Sequence, residues 1–94
     1  MSNFSDMLSK AKKMQEKMKE VQDLIRKIEV QGQSGGNLVK VTLTGEYELK
    51  SIELSDEAKK EKQEIINDLI KAAYNNAREN LKKKSADELA KVTG

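Results

Sequence analysis

Gly32-Gln33-Ser34-Gly35-Gly36-Asn37-Leu38-Val39-Lys40-Val41-Thr42-Leu43-Thr44 is where the chain changes period. Gly32 to Asn37 is a turn cluster, rich in residues that break regular structure. From Leu38 onward apolar and polar residues alternate, with Val39, Val41 and Leu43 on one face, the period of a half-buried strand. Gly45-Glu46 makes a tight turn and Tyr47 to Leu54 is the next strand, so the two read as a hairpin. The apolar phase slips between Leu49 and Ile52, which points to a bulge or to a strand that serves two surfaces. Upstream, Val30-Gln31-Gly32 ends a helix and begins a short strand.

On the N-terminal side the period is helical. Phe4, Met7, Ala11, Met14, Met18, Val21, Ile25 and Ile28 follow at alternating steps of 3 and 4. That is an a/d seam, the pattern of a coiled coil, with Ser2 or Asn3 as the cap. Such a helix would reach about 39 Å at 1.5 Å per residue, longer than a core of this size needs. It is expected to protrude or to pair with another chain. The seam's three methionines make it a soft surface that specifies a partner poorly by packing alone. On the C-terminal side Ser55 caps a second helical region, with Asp56 and Glu57 in its first turn. Ile66, Ile70, Ala73, Ala77 and Leu81 form its stripe, widened by Leu69 and Tyr74. Whether it breaks near Glu61 is left open. Beyond Leu81, Lys82-Lys83-Lys84 opens a polar tail expected to fray.

The order is α-β-β-β-α, an α+β fold with a three-stranded antiparallel sheet and long projecting helices, in one domain over residues 1–94. Leu, Ile, Val and Phe number only 21 of 94 residues, so a shared core, and hence a homodimer, is expected. The buried seam of core and dimer is assigned to Met7, Met14, Met18, Val21, Ile25, Ile28, Val39, Val41 and Leu43. No apolar run approaches a membrane span, and the start at Met1-Ser2-Asn3-Phe4 does not read as a signal peptide. The reading is a cytoplasmic protein with no membrane partner.

With no Cys and no His, thiolate metal sites, the commonest metal ligand and the usual general base are all missing. The glycine cluster leads into a strand, not a helix N-terminus, so it reads as a strand connection and not a phosphate loop. Glu46, Glu48, Glu53, Asp56, Glu57, Glu61, Glu64 and Asp68 sit among Lys50, Lys59, Lys60 and Lys62, a solvated face rather than a carboxylate pair with separated pKa values. No enzymatic activity, cofactor, metal or small-molecule substrate is expected.

Charge placement is more informative. Residues 8–27 hold seven basic and three acidic groups, residues 46–68 four and eight, and residues 71–84 five and one. Two basic helices therefore flank an acidic middle. Lys12, Lys19 and Arg26 form one line on the first helix, and Lys10, Lys13 and Lys17 lie along the other flank. Lys71, Arg78 and Lys82 share a face of the last helix, with Lys83 beside them. These residues are the candidates for double-stranded DNA, held through its phosphates. No aromatic platform for stacking single-stranded bases is present. The alternative is a helical interaction scaffold that uses the Met-rich seam without DNA, its lysines merely flanking a coiled coil.

Three stretches, taken together, carry a resemblance. They are Met14-Gln15-Glu16-Lys17-Met18, then Gly32 to Val41, then Asp68-Leu69-Ile70-Lys71-Ala72-Ala73-Tyr74-Asn75-Asn76-Ala77. In this order and spacing the chain resembles the YbaB/EbfC family of bacterial nucleoid-associated proteins, over roughly residues 4 to 82. The resemblance implies a three-stranded antiparallel sheet and a homodimer joined through its central body, with helices projecting like tweezers. It implies DNA binding with modest or no sequence preference, in the nucleoid, with roles in nucleoid organisation and gene regulation. It carries over no DNA-contact residue. Family members often end in a tail rich in Pro, Gly and Phe. This chain stops at Val92-Thr93-Gly94 without one, and a truncated chain and a tailless bearer are the two readings of that departure.

Overall fold

The heptad stretch is a single helix, α1 (Asn3–Arg26). A computed structural model describes residues 3–93, apart from the side chain of Thr93, so a cap at Ser2 lies outside the described residues. The helix stops four residues short of Val30. Its last turn tightens into i→i+3 bonds, with Lys27 N–H donating to the Leu24 carbonyl at 3.1 Å and Ile28 N–H to that of Ile25 at 3.0 Å. Three strands follow, β1 (Glu29–Ser34), β2 (Val39–Thr44) and β3 (Leu49–Leu54), then a one-turn helix α2 (Asp56–Lys59) and a long helix α3 (Gln63–Thr93). The sheet is antiparallel in the order β1-β2-β3.

Val39, Val41 and Leu43 are fully buried on one sheet face, as their alternation predicts. Opposite them in β1 stand Ser34, Gly32 and Val30, and in β3 Leu54, Ile52 and Leu49. The expected bulge is present: Thr42 pairs with Ser51 but Leu43 with Leu49, so Lys50 is the extra residue. α3 packs over β1 and β2, where Ala73, Ala77 and Leu81 are fully buried. Small residues allow close approach. A Cβ on Gly32 would lie 2.1 Å from the Ala77 nitrogen and 2.3 Å from the Ala73 oxygen. For that reason Gly32 is a strand residue and not part of the turn. Only Gly35 to Leu38 connect β1 to β2, with Gly35 and Gly36 at φ of 58° and 72°.

Two further expectations are corrected. Tyr47 does not begin β3; it sits in the β2–β3 connection at φ 66°, the left-handed region. The Thr44 hydroxyl organises that loop by accepting from the Glu46 and Glu48 N–H groups. The C-terminal end does not fray after Leu81 either, because α3 continues to Thr93. Ser85, Glu88 and Val92 are half-buried, and this end of α3 runs against α1. The question left open at Glu61 resolves as a break. Ser55 caps α2, its hydroxyl accepting from the Ala58 N–H at 3.1 Å, and α3 restarts at Gln63.

The molecule is therefore a sheet-and-helix body with one projecting arm, 73 Å long and 18 by 16 Å across. Within the assigned seam, Val21 and Ile28 are buried and Ile25 packs against the core. Val39, Val41 and Leu43 are sealed by the chain's own α3. The seam has an intrachain partner at its C-terminal end. Its outer half has none of comparable extent: Met7 and Met14 are each 67% exposed and Met18 44%.

Candidate nucleic-acid interface

The arm is where α1 and the last turns of α3 run together. A residue turns through about 100° per helical step, so Lys10 and Lys17 face about 160° away from Lys12 and Lys19. The two lysine lines thus look out from opposite sides of the arm. A rigid duplex lying along one side reaches one line and not the other. Lys12 and Lys19 stand two turns apart, about 10.5 Å along the axis. Among the described residues, neither these four lysines nor Lys13 is in an ion pair. Their charge is fully available to an incoming phosphate.

The remaining basic candidates divide. Arg26 stays exposed but is engaged by acids, its Nε 3.4 Å from Glu46 and an Nη 3.7 Å from Asp23. It ties the end of α1 to the β2–β3 connection. Arg78 lies over the Tyr47 ring at 6.0 Å, a cation–π arrangement. Arg78 and Lys82 line a shallow groove with Asn75 and Glu79, next to the exposed apolar side of β3. Lys71 lies seven residues before Arg78 on the same line of α3. Lys83 shares a surface depression with Asp87, Glu88 and Lys91, where the signs are mixed. The strongest uncompensated positive surface is therefore on α1, with Lys82 as its counterpart on α3.

Among the described residues no group of three or more acidic side chains is placed to hold a metal ion, and no helix is long and apolar enough to cross a membrane.

Both the sequence and the fold have counterparts among known proteins. The family model described as the YbaB/EbfC DNA-binding family matches residues 1–94. The chain belongs to the YbaB/EbfC family. Proteins named nucleoid-associated protein from three Coxiella burnetii strains (Dugway 5J108-111, RSA 331 / Henzerling II and CbuG_Q212) are each 41% identical to it over 87 residues, covering 93% of this chain and 79% of theirs. The crystal structure of an uncharacterized protein from Helicobacter pylori has the same fold, with a TM-score of 0.78 at 18% identity and 97% of each chain covered.

Two further features of this YbaB/EbfC chain bear on the site. The outer edge of β1 is closed by α3: Gln33 N–H donates to Asn76 Oδ1 at 2.9 Å, and Asn80 Nδ2 donates to the Gln31 carbonyl at 2.8 Å. Two asparagines four apart on a helix face were the available signal. The other feature is a bare apolar patch. α3 leaves the β3 side of the sheet uncovered, and Tyr47, Leu49 and Ile52 are 42%, 50% and 43% exposed. The phase slip that betrayed the bulge also marked this strand as serving a second surface.

Proposed function

We propose that this protein binds duplex DNA as a homodimer, mainly through the phosphate backbone, and acts in the cytoplasm at the nucleoid in its organisation and in gene regulation. The observation that carries the reading is the pair of unpaired lysine lines on a projecting arm in a member of a DNA-binding family. Such charge acts by counterion release and is largely blind to sequence. The names of the Coxiella relatives support the nucleoid assignment. Neutralising phosphates with lysines demands no catalysis, cofactor or small-molecule substrate.

The dimer rests on the β3 side. With β1 closed by asparagines, β3 carries the one sheet edge that no strand or helix side chain covers among the described residues, and exposed apolar side chains flank it. An exposed edge beside an apolar patch invites pairing, and a second copy satisfies both at once. Two bodies joined there would carry two arms, the arrangement needed to grip a duplex from two sides.

The test has two measurements. Fluorescence anisotropy on two unrelated duplexes at low salt should show binding of similar affinity, and absence of binding would overturn the DNA assignment. Sedimentation at tens of micromolar should give about twice 10.6 kDa. Ile52→Lys should return it to the monomer with the helical signal intact, because that side chain is already 43% exposed in the single chain. A dimer unaffected by Ile52→Lys would place the interface elsewhere.

A further inference from the structure

The outer half of the α1 seam takes no part in either the body or the dimer face proposed above. Phe4, Met7, Leu8, Met14 and Met18 are 74%, 67%, 57%, 67% and 44% exposed, a heavy concentration of large apolar side chains for one solvated helix. Toward the body the stripe deepens into a groove where Met14, Lys17 and Met18 meet Leu89 and Val92 of α3. Methionine lines grooves that accept varied helical partners, because its side chain is flexible and polarisable.

Charge placement says what fits. In the heptad frame Phe4, Ala11 and Met18 are a, and Met7 and Met14 are d. Lys10 and Lys17 then take g, directly beside the seam, and Lys12 and Lys19 take b, next beyond the e positions Leu8 and Gln15. The acids of α1 lie off the flanking e and g positions: Asp6 and Glu20 at c, as far from the seam as the b lysines, and Glu16 and Asp23 at f, opposite it. The seam is thus bordered by positive charge and by no negative charge of its own helix. A second copy of this stripe would set lysine against lysine. The strict 3–4 spacing also makes a narrow seam of the width a helix fills, unlike the broad apolar face of a helix lying in a bilayer surface.

We propose that this stripe, from Phe4 to Met18 with Leu89 and Val92 as its floor, is a docking site for an acidic amphipathic helix of a partner protein. The partner carries aliphatic residues at 3–4 spacing and glutamates beside them, opposite Lys10 and Lys17. The stripe extends about 21 Å, the length of four turns. Docking requires nothing of the DNA reading. Where that reading holds, a docked acidic helix covers lysines that would meet phosphate, so partner and duplex compete.

The test uses the whole chain and a synthetic probe, without DNA. The probe is a labelled helix of about three heptads with Leu at a and d and Glu at e and g. Its control carries Lys in place of Glu. The acidic probe should bind saturably in anisotropy, and the basic control should bind at least about tenfold more weakly. Met14→Gln with Met18→Gln should weaken acidic-probe binding about tenfold or more, while circular dichroism stays unchanged. Lys10→Glu with Lys17→Glu should reverse the preference toward the basic control. The proposal is overturned if the two probes bind alike, or if the methionine changes have no effect on the acidic one. It is equally overturned if the stripe instead drives species larger than the dimer in sedimentation that Met14→Gln abolishes. Stripe-dependent binding to phosphatidylglycerol vesicles with no binding to the acidic probe would also overturn it. Absence of duplex binding in the separate anisotropy titration, with probe binding retained, would sink the DNA reading alone.

Discussion

Gly32→Ala is expected to unseat α3 from the sheet. The added Cβ would stand 2.1 Å from the Ala77 nitrogen and 2.6 Å from its Cα. Both are backbone atoms, and Ala73 and Ala77 have no longer side chains to reorient. The only relief is to move β1 from the helix. That movement stretches the Asn76 and Asn80 bonds that hold the β1 edge. Overpacking of this kind costs about 3 kcal/mol or more. For a chain of this size each kcal/mol lowers the melting temperature by roughly 4–8 °C, so thermal unfolding followed by circular dichroism should show a drop in double figures. Gly36→Ala is the matched control. Nothing lies within 4 Å of its Cβ, and only its positive φ of 72° opposes the change. Its cost should stay near 1–2 kcal/mol. Equal effects at the two glycines would mean that the helix–strand contact is looser than described.

The second large effect concerns binding. Lys12→Glu with Lys19→Glu should weaken duplex binding on the order of a hundredfold at low salt, by a similar factor on unrelated sequences. In a dimer the pair removes four phosphate contacts, so the dependence of log K on log salt should flatten by up to about 3.6 units. Neither lysine is in an ion pair among the described residues, and exposed charges add little to stability, so the melting temperature should hardly move. Lys82→Glu with Lys83→Glu should act in the same direction but less strongly, because Lys83 lies among Asp87 and Glu88. Arg26→Glu should weaken binding less than the Lys12 and Lys19 pair, because Arg26 already faces Asp23 and Glu46, and it should move the melting temperature little, since both ion pairs are exposed.

The body of this fold was legible because period and burial coincide. Val39, Val41 and Leu43 alternate in sequence and are all fully buried. The slip between Leu49 and Ile52 became the bulge at Lys50. What escaped the reading was tertiary. Gly32 resembles a turn residue until two alanines arriving from residues 73 and 77 require it to be bare. Lys82 to Lys84 resemble a fraying tail until α1, distant in sequence, meets the same helix where Met14 and Met18 line a groove with Leu89 and Val92. Local composition cannot register support that comes from the other end of the chain. The candidate site divides in the same way. The lysine lines were visible from helical spacing, whereas the diversion of Arg26 to Glu46 and of Arg78 to Tyr47 depends on a loop held by the Thr44 hydroxyl. A pattern of charges locates a basic surface; only the fold distinguishes which charges remain free to act.

Salt dependence of duplex binding tests the central claim most directly. The purified protein is titrated onto two unrelated duplexes of random sequence by anisotropy, over a series of salt concentrations from low to above physiological. If both arms of a dimer grip the phosphate backbone, log K should fall linearly with log salt. The slope should be several units, at about 0.9 per phosphate neutralised, and the same within error on both duplexes. Binding that persists at high salt and strongly prefers one sequence would contradict the account, because base-edge contacts and not the backbone would then supply the affinity.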